Sequence, residues 1–274
     1  MSEPGAAIRL VISDVDGTLV RKDKSLSPQV IAAVQRLRAA GIPFTLISAR
    51  PVSGVLPLIG PLGIDIPVAA INGGIIFRPD GSAIAEHRID PEVVRGMFDL
   101  AAEIAVDRWV FADGQWFASS LAGVHVEHER VASNQAPVLR DDFGDLYDRA
   151  DKVTFVSDDA PVLKDLAARG IALFGQRATI GQSQTYYLDV TDTRANKGDG
   201  VAELATMLGV DLAQVAVFGD MDNDLAMFAR AGTSVAMGQA PENVRAAADF
   251  VSSSNEQDGV AHAIDAFVLK VASV

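Results

Sequence analysis

Two aspartates, Asp14 and Asp16, stand two residues apart directly after an apolar run at 8–12. The run is typical of a buried strand, and Gly17 behind the pair indicates a turn. Open α/β sheets place their chemistry at the carboxyl ends of strands. In a Mg²⁺-assisted phosphoryl transfer, one such carboxylate would attack phosphorus while the other moves a proton. The alternative is an ordinary turn rich in aspartate after a core strand.

A second acidic group, Asp220, Asp222 and Asp224, follows an apolar run at 214–218. Three carboxylates within five residues repel one another unless a cation neutralises them. Oxygen ligands at this density favour Mg²⁺. The alternative is an acidic helix start, which explains Asp222 and could extend to Asp224, but which poorly explains Asp220 directly after the strand. A calcium-binding EF-hand fits neither acidic segment, because a leucine stands where that loop needs its glycine.

Three further polar segments lie at the ends of predicted elements. Ser48 follows a strand at 44–47, where its hydroxyl and nearby N–H groups could hold a phosphate oxygen, or where it is only a capping residue. Lys197 stands at a helix start, which is electrostatically unfavourable for the helix. Burial near carboxylates and a phosphate would explain it; a solvated surface lysine is the alternative. Asn72 and Gly73 follow the predicted strand at 67–71, where they form either a turn only or a set of hydrogen-bond donors for a ligand.

Alternating strands and helices are predicted to position these residues. In the first and last thirds of the chain this alternation indicates a Rossmann-like, doubly wound parallel α/β sheet. The middle, roughly 83–190, has hairpin-like strand pairs and an Asp-Gly turn signal, which indicate an inserted α+β domain. The predicted strands of the sheet domain are 8–13, 44–47, 67–71, 214–218 and 234–237, and its predicted helices are 28–40, 51–62, 197–208, 222–231, 241–248 and 259–268. Within the insert, strands are predicted at 108–111, 115–118, 153–156, 178–180 and 185–188, and a helix at 161–169.

The segment from His125 to Glu129 contains possible metal ligands. We expect it to be strand-like, which would put its two histidine rings on opposite faces and argues against zinc. A solvated acidic segment is the favoured interpretation. The aromatic residues of the insert are expected to form its core, and one of them could line a substrate pocket: Trp109, Trp116, Phe117, Tyr186 and Tyr187.

Composition sets outer limits on function. The chain has 274 residues, no cysteine and a formal net charge of −13. This charge repels nucleic acid and anionic membranes, so neither is expected as a partner. A phosphorylated substrate would also be repelled, and its site must therefore provide local positive charge through a cation and a lysine. The absence of a secretory signal, of a membrane-length apolar run and of disulfides favours a cytoplasmic protein. The sequence does not indicate the oligomeric state.

The ordered set of motifs resembles the haloacid dehalogenase superfamily of phosphatases. The motifs are Asp14-Val15-Asp16-Gly17-Thr18, Ser48, Lys197-Gly198 and Gly219-Asp220-Met221-Asp222-Asn223-Asp224. The Asn72-Gly73-Gly74 segment makes the chain similar to the Cof-type branch. The long insert lies where that branch carries a C2-type cap. The resemblance therefore implies a catalytic core at 1–83 and 190–274, with a substrate-selecting cap at 84–189.

The resemblance also implies roles for individual residues. Asp14 would be the nucleophile and a metal ligand, and Asp16 the general acid/base and a ligand through its backbone carbonyl. Asp220 would be the third protein ligand of Mg²⁺. The remaining roles are phosphate contacts by Ser48, Ala49, Asn72, Gly73, Lys197 and Asn223, and support of Lys197 or the metal's waters by Asp224. The branch often has Thr-Gly-Arg where this chain has Ser48-Ala49-Arg50, and the backbone N–H of Ala49 preserves a donor.

These inferences together predict a Mg²⁺-dependent phosphomonoester hydrolase that acts through an aspartyl-phosphate. The resemblance implies small phosphorylated metabolites, such as sugar phosphates, as substrates. Two alternatives stay open at this point. A phosphomutase of the same fold would use the same residues and return the phosphoryl group to a sugar. A regulator that binds a phosphometabolite without turnover would not need both Asp14 and Asp16.

Overall fold

The computed structural model describes residues 7–269. Its strands are β1 (Leu10–Ser13), β2 (Phe44–Leu46), β3 (Val68–Ala70), β4 (Ile75–Phe77), β5 (Ala83–Glu86), β6 (Asp107–Ala112), β7 (Gln115–Ala118), β8 (Val138–Leu139), β9 (Ala150–Val156), β10 (Thr179–Gln184), β11 (Tyr187–Thr191), β12 (Val215–Gly219), β13 (Thr233–Ala236) and β14 (Phe250–Val251). Its α-helices are α1 (Pro28–Ala39), α2 (Val52–Leu62), α3 (Pro91–Leu100), α4 (Val126–Ser133), α5 (Ala160–Phe174), α6 (Lys197–Met207), α7 (Leu225–Phe228), α8 (Glu242–Ala247) and α9 (Gly259–Ala263). Within 7–269, every helix is too short or too polar to cross a membrane.

The chain divides into two compact units. The second unit comprises Arg50–Gly54 and Ala85–Ala195, and the remaining described residues form the first. The predicted boundaries differ, because they assign 50–54 and 190–195 to the first unit and residue 84 to the second. The hydroxyl of Ser53 donates to the carbonyl of Ser133 at 2.6 Å, which ties the short segment to the second unit.

A five-stranded parallel sheet organises the first unit, in the order β14-β13-β12-β1-β2. Strands β1 and β12 pair in register from Leu10 opposite Val215 to Ser13 opposite Phe218. Both strands are fully buried, as expected for a parallel sheet covered on its two faces. Their carboxyl ends therefore lie side by side, and the α/β fold predicted for this part of the chain is confirmed.

The third predicted strand has a different partner from the one expected. Strand β3 pairs antiparallel with β4 in a separate three-stranded sheet. It meets the parallel sheet through one isolated bridge, between Ile47 and Ala69. A short left-handed segment explains the reversal, because Ile71, Asn72 and Gly73 all have positive φ and turn the chain back at once.

The second unit contains a six-stranded sheet in the order β10-β11-β9-β6-β7-β8. Helices α3 and α5 contribute residues such as Val94 and Leu163 to an apolar core on one face. A smaller cluster holds Trp109, Trp116 and Tyr187, which are buried. The expected strand at 125–129 is wrong, because this segment begins helix α4.

Helical signals explain that difference. Glu127 and Glu129 lie in the first turn of α4, where acidic side chains favour a helix, and Glu127 pairs with Arg130 three residues later. His125 precedes the helix, and its ring lies 2.7 Å from Asp158. The predicted helix at 222–231 is also shorter, with a 3₁₀ turn at Asp222–Asp224 followed by α7.

One buried carboxylate makes the second unit sensitive to pH. Asp151, in β9, is only 4% exposed, and its Oδ1 lies 3.8 Å from Nε of Arg88, with no hydrogen-bond partner among the described residues for either atom. Arg88 instead pairs with Glu86 and Asp113. Burial, and then the charge of Glu86, raise the pKa of Asp151 to about 7. The fold therefore favours the protonated carboxyl.

We expect the free energy of unfolding to decrease as the pH rises from about 4 to about 7. The unfolded chain releases this proton near its ordinary pKa of 3.8 and the folded chain only near 7, so ionisation favours the unfolded state by up to about 4 kcal/mol. In Asp151→Asn, the free energy of unfolding measured by urea titration should change less between pH 4 and pH 7 than in wild type. Asp148→Asn, an exposed control in the same unit, should leave the slope unchanged. An equal dependence of the unfolding free energy on pH in wild type and Asp151→Asn would contradict the raised pKa of Asp151.

Candidate active site

The two motif aspartates leave the carboxyl end of β1. Asp14 is buried, and its N–H donates to the carbonyl of Phe218 at the end of β12. Gly17 follows with a φ of +78°, and a Cβ at this position would lie 2.2 Å from Oδ2 of Asp220. Only glycine allows this turn and this close approach together. Because Gly17 has no side chain, the acidic loop after β12 can lie directly against the loop after β1.

The loop after β12 is closed by one of its own carboxylates. Oδ2 of Asp224 accepts the N–H groups of Asp220 at 2.7 Å and Met221 at 2.9 Å. Gly219 makes room for this contact, because a Cβ there would lie 2.5 Å from Cγ of Asp224. Asp220 then extends from a fixed backbone position.

Lys197 joins the two loops. Its Nζ donates to Oδ1 of Asp14 and to Oδ1 of Asp224, each at 2.6 Å. The residue is 2% exposed, so the interpretation as a surface lysine is wrong. The side chain of Asn196 accepts the N–H of Asp199 and caps α6, which starts the helix at this lysine. The sequence signal was the unfavourable position of a cation at a helix N-terminus.

The site holds more negative than positive charge. Carboxylate oxygens of Asp14, Asp220 and Asp224 lie within 4.8 Å of one another, and Lys197 is the ammonium bonded between two of them. Burial, followed by the charge of Asp224, raises the pKa of Asp220 to about 6. Burial likewise raises the pKa of Asp14. Burial alone would lower the pKa of Lys197, but Asp14 and Asp224 raise it above its ordinary value.

This donor set fits a divalent cation. Buried carboxylate oxygens are the ligands that Mg²⁺ prefers, and a second cation would offset the remaining charge. Asp14 uses Oδ1 for Lys197, which leaves Oδ2 for a further ligand. Asp220 is oriented by the hydroxyl of Thr18, which donates to its Oδ1 at 2.9 Å.

Gln239 is a site residue that the sequence reasoning missed. Its side-chain amide donates to the carbonyl of Gly17 at 2.6 Å and lies 3.4 Å from Oδ2 of Asp220. Its Oε1 accepts the N–H of Asn255. No sequence motif marks this glutamine; only the return of the chain after β13 brings it to the site.

The predicted phosphate-contact residues form a second group of linked loops. Ser48 is buried after β2, and its carbonyl accepts the N–H of Asn72 at 2.7 Å. Oδ1 of Asn72 lies 3.4 Å from Nδ2 of Asn223. Gly73 lies against Gly200 of α6, where a Cβ would come within 2.8 Å of Cα. Ala49 follows Ser48 as the last residue of the first unit before its interruption.

Asp16 lies outside the cluster of three carboxylates. Its Oδ1 accepts a hydrogen bond from Nζ of Lys24 at 2.6 Å. Both motif aspartates, Ser48, Asn72, Lys197 and the acidic loop all belong to the first unit. The arrangement offers a buried carboxylate beside an ammonium and a separate, partly exposed carboxylate, which suits nucleophilic attack followed by proton transfer.

Comparisons with known proteins place the chain among hydrolases of one family. A family model described as haloacid dehalogenase-like hydrolase matches residues 11–264. A curated relative from Streptococcus pyogenes serotype M6, named "Putative phosphatase M6_Spy0533", is 28% identical over 96% of this chain and 99% of its own. A solved haloacid dehalogenase-like hydrolase from Bacteroides thetaiotaomicron is 27% identical with a TM-score of 0.85, covering 94% of this chain and 98% of its own.

A second solved structure shows the same fold at lower identity. It belongs to a HAD subclass IIB sugar phosphatase, is 24% identical and has a TM-score of 0.81, covering 94% of this chain and 98% of its own. The matched family model spans both halves of the first unit together with the second unit between them. This chain therefore belongs to the haloacid dehalogenase-like hydrolase family.

Proposed function

We propose that this protein is a Mg²⁺-dependent phosphomonoester hydrolase that acts through an aspartyl-phosphate. The observation that carries the proposal is the buried Lys197 bonded to both Asp14 and Asp224, with Asp220 beside them. A purely structural role leaves this excess of buried carboxylates unexplained. The curated relatives named as phosphatases support the same reaction class.

The chain's residues divide the reaction between them. A carboxylate oxygen of Asp14 attacks phosphorus, and the bond from phosphorus to the ester oxygen breaks. Asp16 gives its proton to the leaving alcohol and then takes a proton from the water that attacks the aspartyl-phosphate. The oxygen of this water bonds to phosphorus as the bond from phosphorus to Asp14 breaks. Release of inorganic phosphate therefore leaves Asp14 ionised and Asp16 protonated, as at the start. Lys197, with Ser48 and the N–H of Ala49, is proposed to hold the phosphate oxygens.

We propose that Asp14, Asp220 and the backbone carbonyl of Asp16 hold Mg²⁺. Asp224 would not bind the metal itself but would orient Lys197 through their hydrogen bond. When bound, the cation offsets charge on the phosphoryl oxygens. The positive charge that a phosphate needs is therefore local, despite the net charge of −13.

The proposed substrates are small phosphorylated metabolites, and sugar phosphates in particular. The solved relative described as a sugar phosphatase supports this class. The second unit contributes no residue to the set described above, and its role as a substrate-selecting cap, with boundaries at 84–189, stays a prediction.

A phosphate-release assay on a panel of phosphorylated metabolites tests the proposal. We expect turnover with Mg²⁺, none with EDTA, and recovery when Mg²⁺ is restored. Addition of a sugar bisphosphate should not be required, which separates hydrolysis from mutase chemistry. Absence of phosphate release from every ester on the panel and from 4-nitrophenyl phosphate would reject the proposal.

We expect Asp220→Asn to raise the Mg²⁺ concentration that gives half-maximal activity by about tenfold or more, because an amide is a weaker ligand than a carboxylate. Mg²⁺ titration of activity and calorimetric titration of the resting protein measure the change. Asp222→Asn is the matched control, since Asp222 is exposed and bonds Asn243 instead. Equal metal affinity in Asp220→Asn and wild type would show that Asp220 is not a ligand.

A further inference from the structure

A lysine outside the recognised motifs contacts the carboxylate of Asp16. Nζ of Lys24 lies 2.6 Å from Oδ1 of Asp16, and their side chains are 31% and 37% exposed. We propose that Lys24 is a positioning residue that orients the Asp16 carboxylate for proton transfer. This proposal rests on the proposed hydrolase function.

The backbone around Lys24 is shaped to present this side chain. The N–H of Lys24 donates to the carbonyl of Arg21, and the N–H of Arg21 donates to the carbonyl of Ser25. Oδ1 of Asp23 accepts both the N–H and the hydroxyl of Ser25, which completes a tight turn. Lys24 has a φ of +67°, a region that favours glycine or asparagine. A lysine at this position is unfavourable for the turn itself, so its side chain needs another explanation.

Contacts with a distant segment fix the turn in place. Oε1 of Glu256 accepts the N–H of Lys22 at 2.7 Å. The side-chain amide of Asn255 donates to the carbonyl of Val20 at 2.9 Å. Both partners belong to the first unit. The turn therefore has a defined position relative to Asp16, and the reach of Lys24 is set by more than its own sequence neighbours.

The hydrogen bond matters more for geometry than for stability. An ion pair with both partners partly exposed contributes little to folding. A charge-assisted bond to one oxygen nevertheless restricts rotation of the carboxylate. A general acid/base must be directed at the proton that it transfers, and a shift of about 1 Å can cost about a hundredfold in rate. Lys24 thus acts through Asp16.

Three single variants separate positioning from other roles. We expect Lys24→Met to lower kcat about ten- to a hundredfold, with KM within about twofold and an unchanged melting temperature. Lys24→Arg keeps a cationic donor and should recover most of the loss. Lys22→Met removes the same charge from an exposed lysine of the same turn and should match wild type. An unchanged kcat in Lys24→Met would overturn the proposal.

The double variant with Asp16→Asn identifies the route of the effect. If Lys24 acts through Asp16, then Lys24→Met causes no further loss of activity in the Asp16→Asn background. A loss that persists there, or a loss confined to KM, would show that Lys24 contacts the substrate directly and would overturn the proposal.

A readout without turnover keeps this test apart from the hydrolase proposal. The side-chain ¹⁵N resonance of the Lys24 ammonium should shift in Asp16→Asn and not in Asp222→Asn. An unchanged resonance in Asp16→Asn would overturn the pairing even in an active enzyme. Inactive wild-type protein with the expected shift would instead reject the hydrolase function while retaining the pair.

Discussion

Asp14→Asn is expected to abolish phosphate release, with kcat lowered by at least about a thousandfold. An amide oxygen cannot replace the carboxylate as nucleophile, and loss of other covalent nucleophiles has effects of this size or larger. The fold should persist. The buried ammonium of Lys197 keeps Asp224 as a partner, and one of three mutually repelling carboxylates is neutralised.

Steady-state assays with Mg²⁺ and thermal unfolding with EDTA measure the two effects separately. Asp222→Asn again serves as the control, because it makes the same chemical change at an exposed position of the first unit. A kcat of Asp14→Asn within about tenfold of wild type would contradict the covalent mechanism. A large fall in melting temperature with lost activity would indicate that the carboxylate serves the fold instead.

Lys197→Met is expected to reduce both stability and activity. Removing the ammonium leaves two buried carboxylates without their shared partner. Breaking a buried ion pair from one side costs about 3–5 kcal/mol. Activity should fall by at least about a hundredfold, because a charge aimed at the phosphoryl group is lost.

A compensating variant separates these two losses. Lys197→Met combined with Asp224→Asn removes one of the two stranded charges and should recover part of the unfolding free energy, while activity stays low. Urea titration in EDTA measures the first effect, and the phosphate assay measures the second. Lys22→Met is the exposed control for loss of a lysine. A destabilisation below about 1 kcal/mol would show that the fold does not depend on the buried pairs.

The sequence was most informative where several charged residues of the site stand within a few positions of one another. Paired aspartates behind β1 and the acidic loop behind β12 predicted which strand ends meet, because parallel strands bring their carboxyl ends to one edge. Lys197 was recognisable because its position opposed the helix dipole. These signals lie within a few residues, so one sequence was enough to find them.

Features that depend on distant contacts were not predictable in the same way. Gln239 reaches the site because a remote segment folds back, and Lys24 reaches Asp16 through a turn that distant contacts hold in place. Neither residue stands in a pattern of chemical groups. The antiparallel turn of β3 depends on three consecutive residues with positive φ, of which Ile71 is of a type that rarely adopts it. The segment at 125–129 was predicted to be strand-like, although Glu127 and Arg130 stand at the i,i+3 spacing of a helical ion pair.

The hydrogen bond from Lys197 to Asp14 spans 183 residues of chain. Strand β1, which carries Asp14, has β12 as one of its two neighbours in the sheet. During synthesis on the ribosome, β1 can therefore pair with β12 only after most of the chain has been made. Pairings of such large sequence separation close slowly and expose strand edges in the meantime. The nascent chain therefore passes through a long interval with an unfinished sheet edge, in which Asp14 and Lys197 are not yet brought together.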